Sequence, residues 1–359
     1  MARFFSASAK YLGMKAVIIS DHGDLDAIEI GDIEMPEVHP TDVLVKAKYG
    51  ALNHLDAFVV KGWSGLDLTM PHVLGSDGSG IVQEIGSEVT MVQPGDIVTI
   101  NPGLSCGKCE ACLSGNQNLC RSFSIKGEHL RGTFAEYFTA PECNVLKVPD
   151  GYPMDKAAAA PLVYLTAWRM LVTRTKLAPG EMVFIHGASG GVATAAIQIA
   201  KYLGATIITT TSNPEKVERA KQLGADHVID YNEMPDYSGF VFKELTGKRG
   251  VDVVVDSVGA KTFATSVRLL RPDGRLVTCG ATSGPSSDLD IRQVFWKQLN
   301  IIGSTMSNQK EFRDVMNLVF AGKLDPVIDK TFSLDQARQA EEYMVGAEQF
   351  GKIVLSLDK

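Results

Sequence analysis

The chain has 359 residues and a formal charge of -7. That length exceeds what one hydrophobic core ordinarily serves, so two domains are expected. The acid excess argues against a general nucleic-acid or membrane-surface binder. The longest apolar run, residues 157–168, is too short to span a bilayer and is broken by Pro161, so a soluble, cytoplasmic protein is expected.

The first thirteen residues contain Arg3, Lys10 and serines but no acid, a composition faintly like a transit peptide. A disordered leader before a domain opening at Met14 is the preferred reading. The pattern then becomes β-rich. Short runs with branched apolar residues fall at 15–19, 42–52, 79–86 and 96–100, with Gly and Pro between them. The stretch "LSCGKCEACLSGNQNLC", residues 104–120, carries four of the six cysteines. Cys106, Cys109, Cys112 and Cys120 are separated by two, two and seven residues, which suits a metal site better than a secreted disulfide framework. Cys143 and Cys279 lie in apolar surroundings and are expected to be buried thiols.

From about residue 161 the rhythm changes. "MVFIHGA" (182–188) reads as a buried strand and "VATAAIQIAKYLG" (192–204) as a helix closed by Gly204. "TIITTT" (206–211), the helix "NPEKVERAKQLG" (213–224) and strands at "HVIDY", "VDVVVDSV" and "GRLVTCG" follow. "LNIIGS" (299–304) looks like the last strand of this set. Alternation of strand and helix predicts an α/β region with a parallel sheet covered on both faces. Beyond it, "QKEFRDVMNLVFAGKL" reads as helix and "GKIVLSL" as a closing strand.

"IHGASGGVATAA" joins the first of these strands to the first helix. Gly190 and Gly191 lack a Cβ, so backbone amides can approach a pyrophosphate at the helix N-terminus, and Ala193 fills the third small position. The alternative is a tight turn with no ligand. The second strand ends "TTTSNPEK". An acid at its end would bond a ribose 2′-hydroxyl and repel a 2′-phosphate. Thr211 stands there instead. Ser212 and Lys216 would accept a phosphate, and Tyr231 could close the pocket, so NADPH is expected in preference to NADH. Equally, Ser212-Asn213 caps the helix with Lys216 solvated, and both can hold together.

The cysteine cluster, "GALNHLD", "PHVLGSDGSGIVQEIG", "QPGDIV", "GASGGVA" and "FGKIVL" together resemble the medium-chain dehydrogenase/reductase superfamily from Met14 to nearly the end. The resemblance implies a β-rich GroES-like catalytic domain, residues 1–160 with 306–359, interrupted by a Rossmann domain, residues 161–305. It implies one structural zinc per chain on Cys106, Cys109, Cys112 and Cys120. Four thiolates fill a tetrahedral zinc and leave no place for substrate. It further implies coenzyme contacts from Asn53, His54, Thr166, Ser189, Gly190, Gly191, Val192, Ser212, Lys216, Tyr231, Val258, Gly280 and Lys352. A homodimer or homotetramer joined at the Rossmann sheet edge is expected, with a small-molecule substrate and neither nucleic acid nor membrane as partner.

Zinc alcohol dehydrogenases of the superfamily place a second, catalytic zinc on a Cys, a His-Glu pair and a further Cys or Asp. Here those positions read Asn53, Ser76-Asp77 and approximately Leu162, and Leu55 replaces the proton-relaying hydroxyl. These residues do not make an open three-ligand zinc site; a weak site from His54, Asp56 and Asp77 is the alternative. The chain is most similar to the quinone oxidoreductase and enone reductase branch, although retention of the cysteine lobe departs from the simplest quinone reductases. Asn53, His54 and Asp77 are the expected catalytic residues. His54 either donates to the substrate oxygen, contacts the pyrophosphate, or is an ordinary buried histidine. The expected activity is NADPH-dependent hydride transfer to an activated C=C or a quinone. An alcohol dehydrogenase with unusual ligands and a dinucleotide-binding sensor or structural protein with little turnover are the other readings.

Overall fold

The parallel sheet dictates where a ligand can bind. In the computed structural model, which describes residues 13–358, six strands lie in the order His227–Asp230, Thr206–Thr211, Met182–Ile185, Val251–Asp256, Leu270–Thr278, Asn300–Gly303. Every neighbouring pair is parallel. Numbered along the chain, this order is 3-2-1-4-5-6, the Rossmann arrangement, whose strand order reverses between Met182–Ile185 and Val251–Asp256. Helix Gly191–Tyr202 turns Ala193, Ala196, Ile197 and Ala200 inward at helical spacing. Its small residues let it pack closely on helix Pro161–Trp168. Pro161 suits the first turn, where a missing N–H costs nothing, and it separates this helix from Met154–Ala159.

The remaining residues build a two-stranded ladder, Gly103–Leu104 with Ser124–Ile125, and two larger β-sheets. Ile28–Ile33, Met14–Ile19 and His72–Val73 form the smaller one. The larger runs Val145–Lys147, Ile97–Ile100, Asp77–Ile85, Asp42–Ala51, Lys352–Ser356, Ile328–Ser333, with Tyr137–Pro141 also paired to Asp42–Ala51. The chain therefore returns from the parallel sheet to the first region. Lys352–Ser356 pairs antiparallel to Asp42–Ala51, Val354 opposite Ala51. That pairing brings Lys352 beside the residues that follow Ala51. Leu55 packs against the cores of both regions and sits at their junction.

The strand at Ile28–Ile33 and the helix His54–Lys61 were not signalled by periodicity. The helix is short, and only Asp56, Val59 and Val60 are buried along it. The expectation for Cys143 is corrected: it is exposed, on the turn Glu142–Asn144. Cys279 is partly accessible at a cleft wall. Of the proposed leader, residues 1–13, all but Gly13 lie outside the described residues. Among the described residues no helix is long and apolar enough to cross a membrane.

Candidate functional site

The Gly-rich turn leaves the first strand at the point of strand-order reversal. Gly187 has φ 69, a backbone region that L side chains avoid. A Cβ on Gly190 would meet only the Gly187 carbonyl, at 3.7 Å, so the fold itself leaves space there. A Cβ on Gly191 would lie 2.9 Å from Cδ of Lys352, so that glycine admits the lysine stem. The first amides of helix Gly191–Tyr202, Gly191 and Val192 among them, have no intrahelical acceptor and suit a pyrophosphate. Ser189 lies on the same turn, its carbonyl accepting from the Gly351 amide at 2.8 Å.

Two buried hydroxyls have no protein partner, Thr211 Oγ1 at the end of the second strand and Thr166 Oγ1 on helix Pro161–Trp168. Such orphans are uncommon in a protein interior and suit a polar ligand. Thr211 ends the second strand, and its carbonyl accepts from the Tyr231 amide at 3.0 Å. The Tyr231 ring is exposed. Ser212 is half-buried, and its carbonyl accepts from Asn232 Nδ2 at 2.6 Å. Lys216 is buried, and its ammonium donates to the Ala347 carbonyl at 2.7 Å. Reaching a phosphate would require it to leave that bond. Asn213 caps the helix, accepting from the Lys216 amide at 2.9 Å.

A cleft of about 510 Å³ opens at the carboxyl ends of the fourth, fifth and sixth strands, lined by Gly259, Thr278, Cys279, Gly280, Ser304 and Thr305 among others. Ligands bind at such strand ends in open α/β sheets. The turn carrying Val258 at this edge is fixed from below. Asp256 Oδ1 accepts the Val258 and Gly259 amides, both at 2.9 Å, and Asp256 Oδ2 accepts from Ser266 Oγ at 2.7 Å. With the Ser266 proton so used, His186 Nε2 donates to Ser266 Oγ at 2.8 Å. Burial pulls His186 down to about 4, so this imidazole is neutral.

Asn53, Asp77 and Lys352 meet where the two regions join. Lys352 Nζ donates to the Leu52 carbonyl, at 2.5 Å, to Asn53 Oδ1, at 2.7 Å, and to Asp77 Oδ2, at 3.2 Å. These are all of its hydrogens. Asn53 Nδ2 donates to Asp77 Oδ2 at 3.0 Å and to the Ala51 carbonyl at 3.2 Å, which uses both amide hydrogens. Asp77 Oδ1 accepts the Leu162 amide at 2.9 Å. Asn53 therefore has no hydrogen left for a substrate. His54 is adjacent. Burial, and then the Lys352 charge, hold its imidazole below the usual histidine value, so it is neutral at neutral pH and keeps one N–H to donate.

These residues do not fit a catalytic zinc. The side chains at the ligand positions are an amide, a hydroxyl, a carboxylate and a leucine. The amide and the carboxylate already hold an ammonium, whose charge would repel a divalent ion. The cysteine lobe does fit a zinc. Its four Sγ atoms lie within 4.8 Å of one another. Three separations are 3.5, 3.5 and 4.0 Å. A tetrahedron with Zn–S of about 2.3 Å has edges of about 3.8 Å.

Two acids beneath the site are poorly partnered. Asp56 Oδ2 accepts the Asn53 amide at 2.7 Å, while Oδ1 is buried without a partner. Glu341 is buried, and neither oxygen has one. Burial raises Asp56 to about 7 and raises Glu341 well above the usual carboxylate range. Glu341 was missed by the sequence reading. Its signal was positional: it shares a helical stripe with Ala337, Ala340 and Met344, all buried. Gly187 was likewise missed, although it opens the "GASGG" turn.

A dinucleotide crevice, a saturated polar cluster at the domain junction and a closed four-thiolate lobe define a two-domain NAD(P)H-dependent oxidoreductase. The comparisons agree. Residues 39–150 match the alcohol dehydrogenase GroES-like domain and residues 191–321 the zinc-binding dehydrogenase domain. A zinc-type alcohol dehydrogenase-like protein of Schizosaccharomyces pombe is 32% identical, over 97% of this chain and 100% of that one. An acryloyl-coenzyme A reductase of Sulfurisphaera tokodaii is 30% identical, over 95% of this chain and 99% of that one. The crystal structure of an NAD-dependent alcohol dehydrogenase superposes with a TM-score of 0.92 at 43% identity, covering 96% of this chain and 100% of that one. The chain belongs to the zinc-binding dehydrogenases of the medium-chain dehydrogenase/reductase superfamily.

Proposed function

We propose that this protein transfers a hydride from NADPH to the activated C=C of a conjugated carbonyl, enoyl thioester or quinone, without a catalytic metal. The observation that carries the proposal is the Lys352 ammonium bound to Asn53 and Asp77, where an alcohol dehydrogenase needs an open metal site. Oxidising an alcohol without a Lewis acid leaves its alkoxide unsupported, whereas reducing a conjugated C=C asks only for donors near a delocalised oxygen. When bound, the dinucleotide supplies the hydride. Neutral His54 donates to the oxygen on which charge develops. Asn53, Asp77 and Lys352 hold the start of helix His54–Lys61 in place, and so orient His54. Leu55 presents an apolar surface where a proton relay would stand. The similarity to an acryloyl-coenzyme A reductase supports an enoyl thioester among the substrates.

Preference for NADPH rests on Thr211, with no acid at that strand end, and on Lys216 nearby. The similarity to an NAD-dependent alcohol dehydrogenase favours the alternative coenzyme and reaction. Assembly through the Rossmann sheet edge is supported by the terminal strand Asn300–Gly303 and by exposed Ile291, Phe295 and Trp296 next to it. The deciding experiment is a panel of enals, quinones, enoyl-coenzyme A esters and primary alcohols, assayed with each coenzyme. NADPH oxidation by an enoyl or quinone substrate that survives mild chelation is expected. Alcohol oxidation with NAD, lost on chelation and restored by zinc with the cysteine lobe still loaded, would refute the proposal.

A further inference from the structure

The seven residues between Cys112 and Cys120 carry a turn, Gln117–Leu119, whose side chains reach beyond the lobe. The turn Gln117–Leu119 faces the segment where the chain leaves the last parallel strand for helix Gln309–Phe320. Asn118 Nδ2 donates to the Thr305 carbonyl at 3.2 Å. Gln117 Oε1 accepts the Gln309 amide at 3.4 Å, and Gln117 Nε2 donates to the Cys112 carbonyl at 3.4 Å. One amide side chain thus bridges a cysteine of the lobe and the first residue of that helix, whose N–H has no intrahelical acceptor.

The segment so gripped forms part of the coenzyme cleft. Ser304 and Thr305 line it, and the Ser304 amide is tied to the Thr278 carbonyl at 2.8 Å. Met306 follows with φ 48, yet it is buried in the core that includes Leu162 and Ile125. A long side chain stays in the left-handed region only where its surroundings over-determine it. On one side those surroundings are the Asn118 bond to Thr305. On the other they are the Gln117 bond to Gln309 and the Asn308 cap, which accepts the Glu311 amide at 2.8 Å.

We propose that Gln117 and Asn118 are positioning residues through which the four-cysteine lobe sets the Gly303–Thr305 wall of the coenzyme cleft. The lobe then does more than fold itself. Its metal holds Cys112 in place, Cys112 holds Gln117, and Gln117 with Asn118 holds the crossover against which the coenzyme closes. The inference rests on the reading of that cleft as a coenzyme site.

The test uses the full zinc-loaded protein and NADPH titrated by fluorescence, beginning with the unsubstituted chain. Absence of binding there, and with NADH, would overturn the coenzyme reading and this inference with it. Given binding, Gln117→Ala/Asn118→Ala should keep one zinc per chain and melt within a few degrees of the parent. Its coenzyme Kd should rise about tenfold, the loss expected from two ordinary hydrogen bonds. If the double variant loses zinc, Asn118→Ala alone decides, because its amide bonds the Thr305 carbonyl and no cysteine. That variant should weaken coenzyme binding about threefold to fivefold at full zinc content. An unchanged Kd in a zinc-loaded variant would overturn the proposal while leaving the coenzyme site intact.

Discussion

Replacing Lys352 with Met tests the core of the site. The two side chains have similar length, so the stem that fills the space beside Gly191 remains. What is lost is one charge and three donated bonds. Asp77 is then a fully buried carboxylate, with the Leu162 and Asn53 amides as its remaining donors. Breaking a buried ion pair from one side typically costs about 3–5 kcal/mol. The two neutral donors that stay on Asp77 argue for the lower end. The Leu52 carbonyl and Asn53 Oδ1, each left without its lysine, add about 1 kcal/mol apiece. A loss of about 5 kcal/mol is expected, which for a chain of this length corresponds to a fall in melting temperature of roughly 7 °C. Thermal melts and denaturant titration would read it. Asp77→Asn in the same chain removes the stranded charge, so the double variant should be more stable than Lys352→Met alone, with a coupling of about 1–3 kcal/mol. A single variant within about 1 kcal/mol of the parent, or a double variant no better than the single, would refute the reasoning.

Cys109→Ser should lose the lobe's metal and lower the melting temperature, because a structural site contributes directly to folding free energy; metal analysis and melting decide, and an unchanged stability would refute the zinc reading. His54→Phe should reduce turnover on an enone or enoyl ester by about a hundredfold to a thousandfold, the usual cost of one oxyanion donor, while coenzyme still binds; turnover within a factor of three would remove His54 from the mechanism. Asp56 and Glu341 are raised above their ordinary values of 3.8 and 4.5 by burial, so folding takes up protons. Their stabilising contribution is complete below about pH 4 and is lost as pH rises through the folded values, about 7 for Asp56. The parent should therefore melt lower at pH 8.5 than its other groups dictate, and Glu341→Gln, which needs no proton to be neutral, should flatten that decline; an identical slope in the two proteins would count against a neutral Glu341.

The features legible from sequence were those whose physics is local. Strand and helix alternate visibly from Met182 because a sheet covered on both faces demands continuous apolar strands and amphipathic helices, and "TIITTT" forms the strand read from it. The Gly-rich turn was legible because close backbone approach to a ligand leaves few alternatives to glycine. The cysteine lobe was legible because a tetrahedral site imposes its own spacing. What the tertiary structure decided is which distant groups meet. Lys352 lies 299 residues from Asn53 and 275 from Asp77, and only the antiparallel pairing of Lys352–Ser356 with Asp42–Ala51 brings them together. That encounter uses every hydrogen on the Asn53 amide and shifts the donor role toward His54. Nothing local in the sequence could show it, since hydrogen bonds are exhausted by partners and not by residue type. Cys143 shows the same limit, for its apolar neighbours suggested burial while a tight turn left it exposed. Burial is a property of the assembled layers, and a sequence reports it only where periodicity fixes which face turns inward.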